Sequence, residues 1–148
     1  LLLPAPRRRR RGGGGLVEEV IDHGLHLLAL LLVHAQLLAL GGAVPSRETM
    51  WRGFATMLGH WTIRGYGFFA VVEKTSGTWV GRAGPWMPEG WPGLECGWGV
   101  DAAHWGKGYA PEAAIAAIRW VFATKPDLPR IISLIDPANE NSQAVARK

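Results

Sequence analysis

The stretch that decides the fold is residues 94–122, LECGWGVDAAHWGKGYAPEAAIAAIRWVF. Residues 94–100 predict a short strand with little side-chain bulk on one side. Residues 109–122 predict a helix with apolar residues recurring on one face, namely Ile115, Ile118 and Phe122. Between the two, residues 105–110 form a tight loop that opens directly onto the N-terminus of the helix. The segment therefore predicts a strand, a loop and a helix in immediate succession.

This loop has the composition of an anion-binding site. The first turn of a helix carries N–H groups without an internal partner, and the helix dipole adds partial positive charge there. Gly106 and Gly108 would let a phosphate approach the backbone closely, and Lys107 adds a full positive charge. The loop matches neither the Gly-x-x-x-x-Gly-Lys-Ser/Thr nor the Gly-x-Gly-x-x-Gly phosphate motif. Local spacing alone leaves two interpretations open, a pyrophosphate cradle and a connection that only turns the chain.

Two motifs in this order resemble a known family. Glu95, Gly97 and Trp98, followed by Trp-Gly-Lys-Gly-Tyr-Ala at 105–110, resemble the acetyl-CoA motif of the GCN5-related N-acetyltransferases (GNAT superfamily), Gln/Arg-x-x-Gly-x-Gly/Ala. Tryptophan at the first of these six positions is similar to the ribosomal-protein N-acetyltransferase branch (RimJ/RimL type). Asp-Pro-x-Asn-x-x-Ser at 136–142 resembles a helix start of the same branch. The resemblance covers roughly residues 41–148.

The resemblance implies an α/β fold, the acyl-CoA N-acyltransferase fold, with a mixed, mostly antiparallel central sheet flanked by helices. We expect a helix after Ser46 with an apolar face consisting of Met50, Phe54, Met57, Leu58 and Trp61. Strands are expected at 65–73, 78–84 and 130–135, the last of them buried on both faces, with a loop at 85–92 and a final helix from Asn139. The fold is expected to be incomplete at both ends, because neither the family's first strand and helix nor its last two strands are visible.

Residues 1–40 are expected to be an atypical segment, and residues 41–148 the acetyltransferase domain. The segment holds five arginines at 7–11, four glycines at 12–15 and a leucine-rich stretch from residue 25. It has three interpretations, namely a signal peptide or membrane anchor, an amphipathic helix that covers the sheet, and misread coding sequence. We favour the third, because the family's N-terminal pattern is not visible there. His23, His26 and His34 do not predict a metal site, since no carboxylate or cysteine joins them at ligand spacing.

By resemblance, the end of the 94–100 strand and the following loop hold the coenzyme. The implied coenzyme-binding residues are Gly99, Val100, Trp105, Gly106, Lys107, Gly108, Tyr109, Ala110 and Asn139. Glu95 is the candidate general base, and its alternative is a strand-end carboxylate that faces water or pairs with an arginine. Ser142 is the candidate donor of a proton to the departing thiolate. Asn139 is equally well explained as a helix N-cap.

Composition and charge narrow the class of protein further. The chain has 148 residues, which predicts one domain. It has a single cysteine, Cys96, which we expect to be a buried small residue. A single cysteine also fits a reducing, cytoplasmic setting. The net charge is +4, but residues 46–148 carry eleven basic and nine acidic residues, so no nucleic-acid partner is predicted. We therefore expect an N-acetyltransferase, a monomer or homodimer, that uses acetyl-CoA, no metal and no membrane. The acceptor would be a small-molecule amine or a protein N-terminus. The alternatives are a non-catalytic acyl-CoA-binding domain and a membrane-tethered protein.

Overall fold

The computed structural model describes residues 17–19 and 46–148. In these ranges one sheet of four antiparallel strands contains, in chain order, β1 (Val17–Glu19), β2 (Phe69–Glu73), β3 (Trp79–Trp86) and β4 (Glu95–Val100). Three helices accompany it, α1 (Arg47–Arg64), α2 (Tyr109–Thr124) and α3 (Glu140–Ala146). The predicted succession of strand, loop and helix is therefore present as β4, residues 101–108 and α2.

The first helix starts and stops by the expected local chemistry. Ser46 is its N-cap and accepts a hydrogen bond from the Thr49 N–H at 3.3 Å. Gly65 ends it in the left-handed conformation with φ of 73°. The predicted apolar face is only partly buried, because Phe54 and Met57 are in the core whereas Leu58 is 39 % exposed. One residue further along a helix is rotated by about 100°, which carries Leu58 out of a narrow stripe.

The central hairpin is displaced from its predicted bounds. The first strand begins at Phe69 rather than at residue 65, and the returning strand extends through Pro85 and Trp86. The expected loop at 85–92 therefore starts two residues too early. Pro85 pairs with Cys96 and Trp86 with Glu95 in the antiparallel register of β3 and β4. Pairing with β4 extends β3 by these two residues, and a pairing partner nine or eleven residues away cannot be recognised from the local sequence.

A first strand, β1, is present although no sequence pattern predicted it. The backbone of Val17–Glu19 pairs with residues 71–73 of β2 as an antiparallel edge strand. The three interpretations of the N-terminal segment, and its three histidines, concern residues that lie largely or wholly outside the described ranges. The division of the chain at residues 40 and 41 stays a prediction.

The helix α2 packs on the sheet through a face different from the predicted one. Ile115 and Phe122 are 40 % and 41 % exposed, and Ile118 is half-buried. The buried residues of the helix are Tyr109, Ala113, Ala114, Ala117 and Val121. The three alanines allow the helix axis to lie close to β3 and β4, against Val80 and Cys96. The prediction chose the wrong face because it followed the largest apolar side chains, whereas a close contact between helix and sheet requires small ones.

The predicted buried strand at 130–135 was wrong. Only one parallel bridge joins it to β4, with Ile132 donating to the Leu94 carbonyl at 3.0 Å and accepting from the Cys96 N–H at 2.8 Å. The segment then separates from β4, and Leu134 is 48 % exposed. This separation positions the site, because the space that opens beside β4 is lined by both segments.

Candidate active site

A cleft of about 250 Å³ lies where β4 ends, between the loop, the start of α2 and helix α3. Eight of the nine residues expected to bind the coenzyme line it, namely Gly99, Val100, Trp105, Gly106, Gly108, Tyr109, Ala110 and Asn139. Lys107 is exposed and does not line the cleft. The structure thus brings together the residues that the sequence motif grouped, except that the side chain of Lys107 lies outside the cleft.

The loop combines left-handed glycines, a helix start and open space in this cleft. Gly106 and Gly108 have φ of 76° and 89°, in the left-handed region that favours glycine. Gly108 is the N-cap of α2 and provides no side-chain hydrogen bond to the first turn. A Cβ built on either glycine would have no neighbour within 4 Å, so the space before the helix is open. The arrangement fits a pyrophosphate, because N–H groups, helix dipole and open space coincide.

Trp105 fixes the loop to the end of β4. Its indole Nε1 donates a hydrogen bond to the Val100 carbonyl at 2.7 Å, while half of the side chain stays exposed. A short 3-10 turn, Ala102–His104, precedes it and is capped by Asp101. The indole therefore acts as a brace and as one wall of the cleft.

The side chain of Tyr109 has a structural role rather than a catalytic one. Its hydroxyl donates a hydrogen bond to Glu73 at the end of β2, and the residue is buried in the core. The hydrogen bonds from Ser76 and then Tyr109 lower the pKa of Glu73, and the bond to Glu73 raises the pKa of Tyr109. The tyrosine thus ties the start of α2 to the sheet and leaves only backbone and ring for the cleft.

A second cavity, of about 440 Å³, lies beside the same strand and is lined by α1, β3, β4 and residues 133–142. Glu95 lines it and is half-buried. Its Oε2 accepts from Trp91 Nε1 at 2.8 Å, and its Oε1 accepts from the Leu134 N–H at 3.3 Å. Within the described ranges no ion pair holds Glu95. The carboxylate is therefore neither salt-bridged to an arginine nor simply facing water, and two hydrogen bonds fix its direction.

The two cavities share three lining residues, Trp98, Asn139 and Ser142. Asn139 is the N-cap of α3, and its Oδ1 accepts a hydrogen bond from the Ser142 N–H at 2.9 Å. The capping interpretation of Asn139 is therefore present in the structure, and the residue lines the cleft as well. Ser142 stands at the junction, with the glycine loop on one side and the cavity of Glu95 on the other.

Sequence analysis missed Arg82, which lines the larger cavity from β3. Its guanidinium carbon lies 4.0 Å from the centroid of the Phe68 ring, and Nη1 lies 3.6 Å from Sδ of Met57. Burial lowers its pKa to about 10, so it is protonated at neutral pH. The signal that could have revealed it is a lone arginine inside an otherwise uncharged strand, between Gly81 and Ala83.

Cys96 is buried, as the sequence predicted. Its side chain is 1 % exposed, and Sγ lies 3.8 Å from the Ala114 carbonyl of α2. Burial, and then the negative charge of Glu95, raise the pKa of this thiol to about 12. It is consequently a packing residue and not a nucleophile.

Neither a metal centre nor a membrane span occurs in the part of the chain that the structure describes. No three acidic, histidine or cysteine side chains there are grouped so that they could hold an ion. No helix in the same part is long and apolar enough to cross a bilayer.

The fold and the paired cavities define an α/β acyltransferase domain of the acyl-CoA N-acyltransferase type. The family model described as an acetyltransferase (GNAT) domain matches residues 26–148, and the chain belongs to this family. It is therefore an acyltransferase of a family that uses acetyl-CoA. The predicted fold class and enzyme class are confirmed.

Solved structures show the same fold. An acetyltransferase from Agrobacterium tumefaciens is 26 % identical, with a TM-score of 0.72 over 95 % of this chain and 85 % of that one. A ribosomal-protein-S5-alanine acetyltransferase from Vibrio fischeri is 24 % identical, with a TM-score of 0.52 over 69 % and 56 %. A phosphinothricin acetyltransferase from Sinorhizobium meliloti, solved in complex with AcCoA, is 17 % identical, with a TM-score of 0.60 over 88 % and 71 %.

Proposed function

We propose that this protein transfers the acetyl group of acetyl-CoA to a primary amine, with Glu95 as general base and Ser142 as the donor of a proton to the leaving thiolate. The observation that carries the proposal is the junction of the two cavities at Ser142, Asn139 and Trp98. A donor held in the cleft and an acceptor held in the larger cavity would meet there. Each cavity contains the group that its half of the reaction needs.

The smaller cleft would hold the coenzyme through backbone groups. Gly106, Gly108 and the first turn of α2 face the open space in which a pyrophosphate fits. Gly99 and Val100 line this cleft next to Trp98, which also lines the larger cavity, so they form a path from the loop towards the junction. Backbone N–H groups along this path would stabilise the charge that develops on the thioester carbonyl.

The proton transfers follow from the positions of the two side chains. An ammonium must lose a proton before its nitrogen can attack, and Glu95 presents a fixed carboxylate in the acceptor cavity for that purpose. The new N–C bond forms as the C–S bond breaks, and the sulfur leaves as a thiolate. The Ser142 hydroxyl, at the junction, would give its proton to the thiolate and would regain one, through solvent, from the nitrogen, which loses its second proton as the amide forms.

The acceptor class is a further part of the proposal. We infer a protein N-terminus or a small-molecule amine, within the ribosomal-protein N-acetyltransferase branch. The Trp-Gly-Lys-Gly-Tyr-Ala form of the loop supports this branch, and so does similarity to the ribosomal-protein acetyltransferase from Vibrio fischeri. The open wall between β4 and Leu134 would admit the end of a chain as well as a small molecule.

Glu95→Gln tests the mechanism, with Glu89→Gln as the matched control. Glu89 pairs with Arg64 at the surface and has a fully exposed side chain, so its loss removes the same charge far from the chemistry. With a panel of amines and N-terminal peptides, we expect CoA release by Glu95→Gln to fall about 100-fold in kcat, with the affinity for acetyl-CoA unchanged. Wild-type turnover in Glu95→Gln would remove this residue from the mechanism. Binding of acetyl-CoA without release of CoA to any acceptor would instead favour the non-catalytic domain.

A further inference from the structure

Arg82 is a cation in the acceptor cavity that feels the charge of Glu95 but forms no ion pair with any carboxylate of the described residues. Its guanidinium stacks on the Phe68 ring and touches the sulfur of Met57, both of which line the same cavity. Its Nε is inaccessible to solvent and has no hydrogen-bond partner among the described residues. No carboxylate of the described ranges forms an ion pair with it. Because Nε is inaccessible, it is the terminal nitrogens of the guanidinium that a group entering the cavity can reach.

An arrangement of this kind is costly unless something pairs with it. A buried donor without a partner loses the hydrogen bond that it makes to water in the unfolded chain, and the loss is larger when the group is charged. The pKa of Arg82, lowered to about 10 by burial, leaves the group charged at neutral pH, so deprotonation does not relieve the cost. An anion that enters the cavity would pair with the positive charge through the terminal nitrogens of the guanidinium, while Nε stays out of its reach.

The guanidinium is also oriented in advance. The ring of Phe68 lies over Gly97 of β4, where a Cβ would come within 3.0 Å of a ring carbon. The glycine thus allows the ring to lie where Arg82 can stack on it. Stacking holds the planar guanidinium in one direction and preserves its edge for a bidentate contact with a carboxylate.

We propose that Arg82 binds a carboxylate of the acceptor, so that this enzyme acetylates amines that also carry a carboxylate. The proposal rests on the proposed function and deepens it. Among the described residues lining this cavity, Arg82 is the one cation, and Glu95 and Asp136 are the anions. A molecule with both an ammonium and a carboxylate would complement these charges, with its nitrogen towards Glu95 and its carboxylate towards Arg82.

The carboxylate could belong to a free amino acid or to an acidic residue of a protein N-terminus. Arg82 lies four residues along β3 from Trp86, the cross-strand partner of Glu95, which is about 13 Å of strand. The arginine and glutamate side chains both reach into the cavity and close part of this distance. The test therefore needs two separate arms, one with acceptors whose carboxylate is close to the amine and one with acceptors whose carboxylate is further from it.

The test compares an acid with its amide in each arm, and the readout is how each variant changes the acid-to-amide ratio, because the α-amine of alaninamide is also less basic than that of alanine. One arm uses L-alanine and L-alaninamide, and the other uses the C-terminally amidated dipeptides Ala-Asp and Ala-Asn. CoA release is assayed for the wild-type protein, Arg82→Met, Arg82→Lys and the control Arg119→Met, which replaces an exposed arginine of α2 that lines neither cavity. Circular dichroism checks the fold of each variant.

We expect the wild type to prefer the acid over the amide in at least one arm. Arg82→Met should reduce that preference about tenfold or more, through KM of the acid, while Arg82→Lys keeps part of it and Arg119→Met keeps all of it. The arm in which the preference occurs identifies the source of the carboxylate. Equal losses for acid and amide in Arg82→Met, or no preference in either arm of the wild type, would show that Arg82 only braces α1.

A measurement without turnover separates this idea from the proposed function. Trp86 and Trp98 line the cavity, so their fluorescence can report the binding of N-acetylalanine and of its amide. Tighter binding of the acid that Arg82→Met abolishes would support the carboxylate site even if no amine were acetylated. Equal binding of acid and amide by the wild type would overturn it even if acetylation were observed.

Discussion

Replacement of Gly108 by glutamate tests whether the loop before α2 binds the pyrophosphate of acetyl-CoA. The residue has φ of 89° and no atom within 4 Å of a built Cβ, so a side chain fits sterically and causes only backbone strain, about 1 kcal/mol. A carboxylate about 5 Å from one phosphate charge, at an effective dielectric constant of about 20, costs about 3 kcal/mol. That free energy corresponds to a roughly 150-fold increase in Kd for acetyl-CoA.

Two matched variants isolate the cause of that increase. Gly90 also has a left-handed φ, 82°, and open space around its Cβ, but it lies in the loop between β3 and β4, outside both cavities. Gly90→Glu should therefore lose similar stability and keep its affinity for acetyl-CoA. Gly108→Gln should lose less affinity than Gly108→Glu, because it adds bulk without charge. Calorimetric titration measures all three. A Kd for Gly108→Glu within threefold of wild type, or an equal loss in Gly90→Glu, would refute the assignment of the loop.

Two further predictions concern the stability of the scaffold. The raised pKa of Cys96 means that the unfolded chain releases this thiol proton first as the pH rises, so the free energy of unfolding should fall between about pH 9 and 12. Urea titrations should show a smaller fall for Cys96→Ala, and identical pH slopes would contradict the assigned cause. His60 lies buried between the Tyr66 carbonyl, 2.8 Å from Nδ1, and the Met87 N–H, 3.1 Å from Nε2. His60→Ala should cost about 3 kcal/mol, against less than about 0.5 for the exposed Thr62→Ala, and equal costs would be inconsistent with this role.

The sequence alone determined the loop, the helix that follows it and the coenzyme-binding class. Those features depend on residues that are neighbours along the chain. Glycines before a helix start require left-handed backbone angles, and Ser46 caps its helix through a residue only three positions away. Local chemistry of this kind is read directly from the order of residues. The grouping of eight of the nine coenzyme-binding candidates in one cleft follows, because all nine lie within one strand–loop–helix unit or at the helix start that faces it.

The tertiary structure decided which faces are buried and where the acceptor would sit. Ile115 and Phe122 are the bulky residues of α2, yet alanines contact the sheet, because the close approach of a helix to β3 and β4 depends on the partner surface. Arg82 becomes notable only in the folded chain, where Met57 of α1 and Phe68 contact it and no acid of the described ranges forms an ion pair with it. Such arrangements join residues that are tens of positions apart, and a sequence pattern read over a few residues does not contain that information.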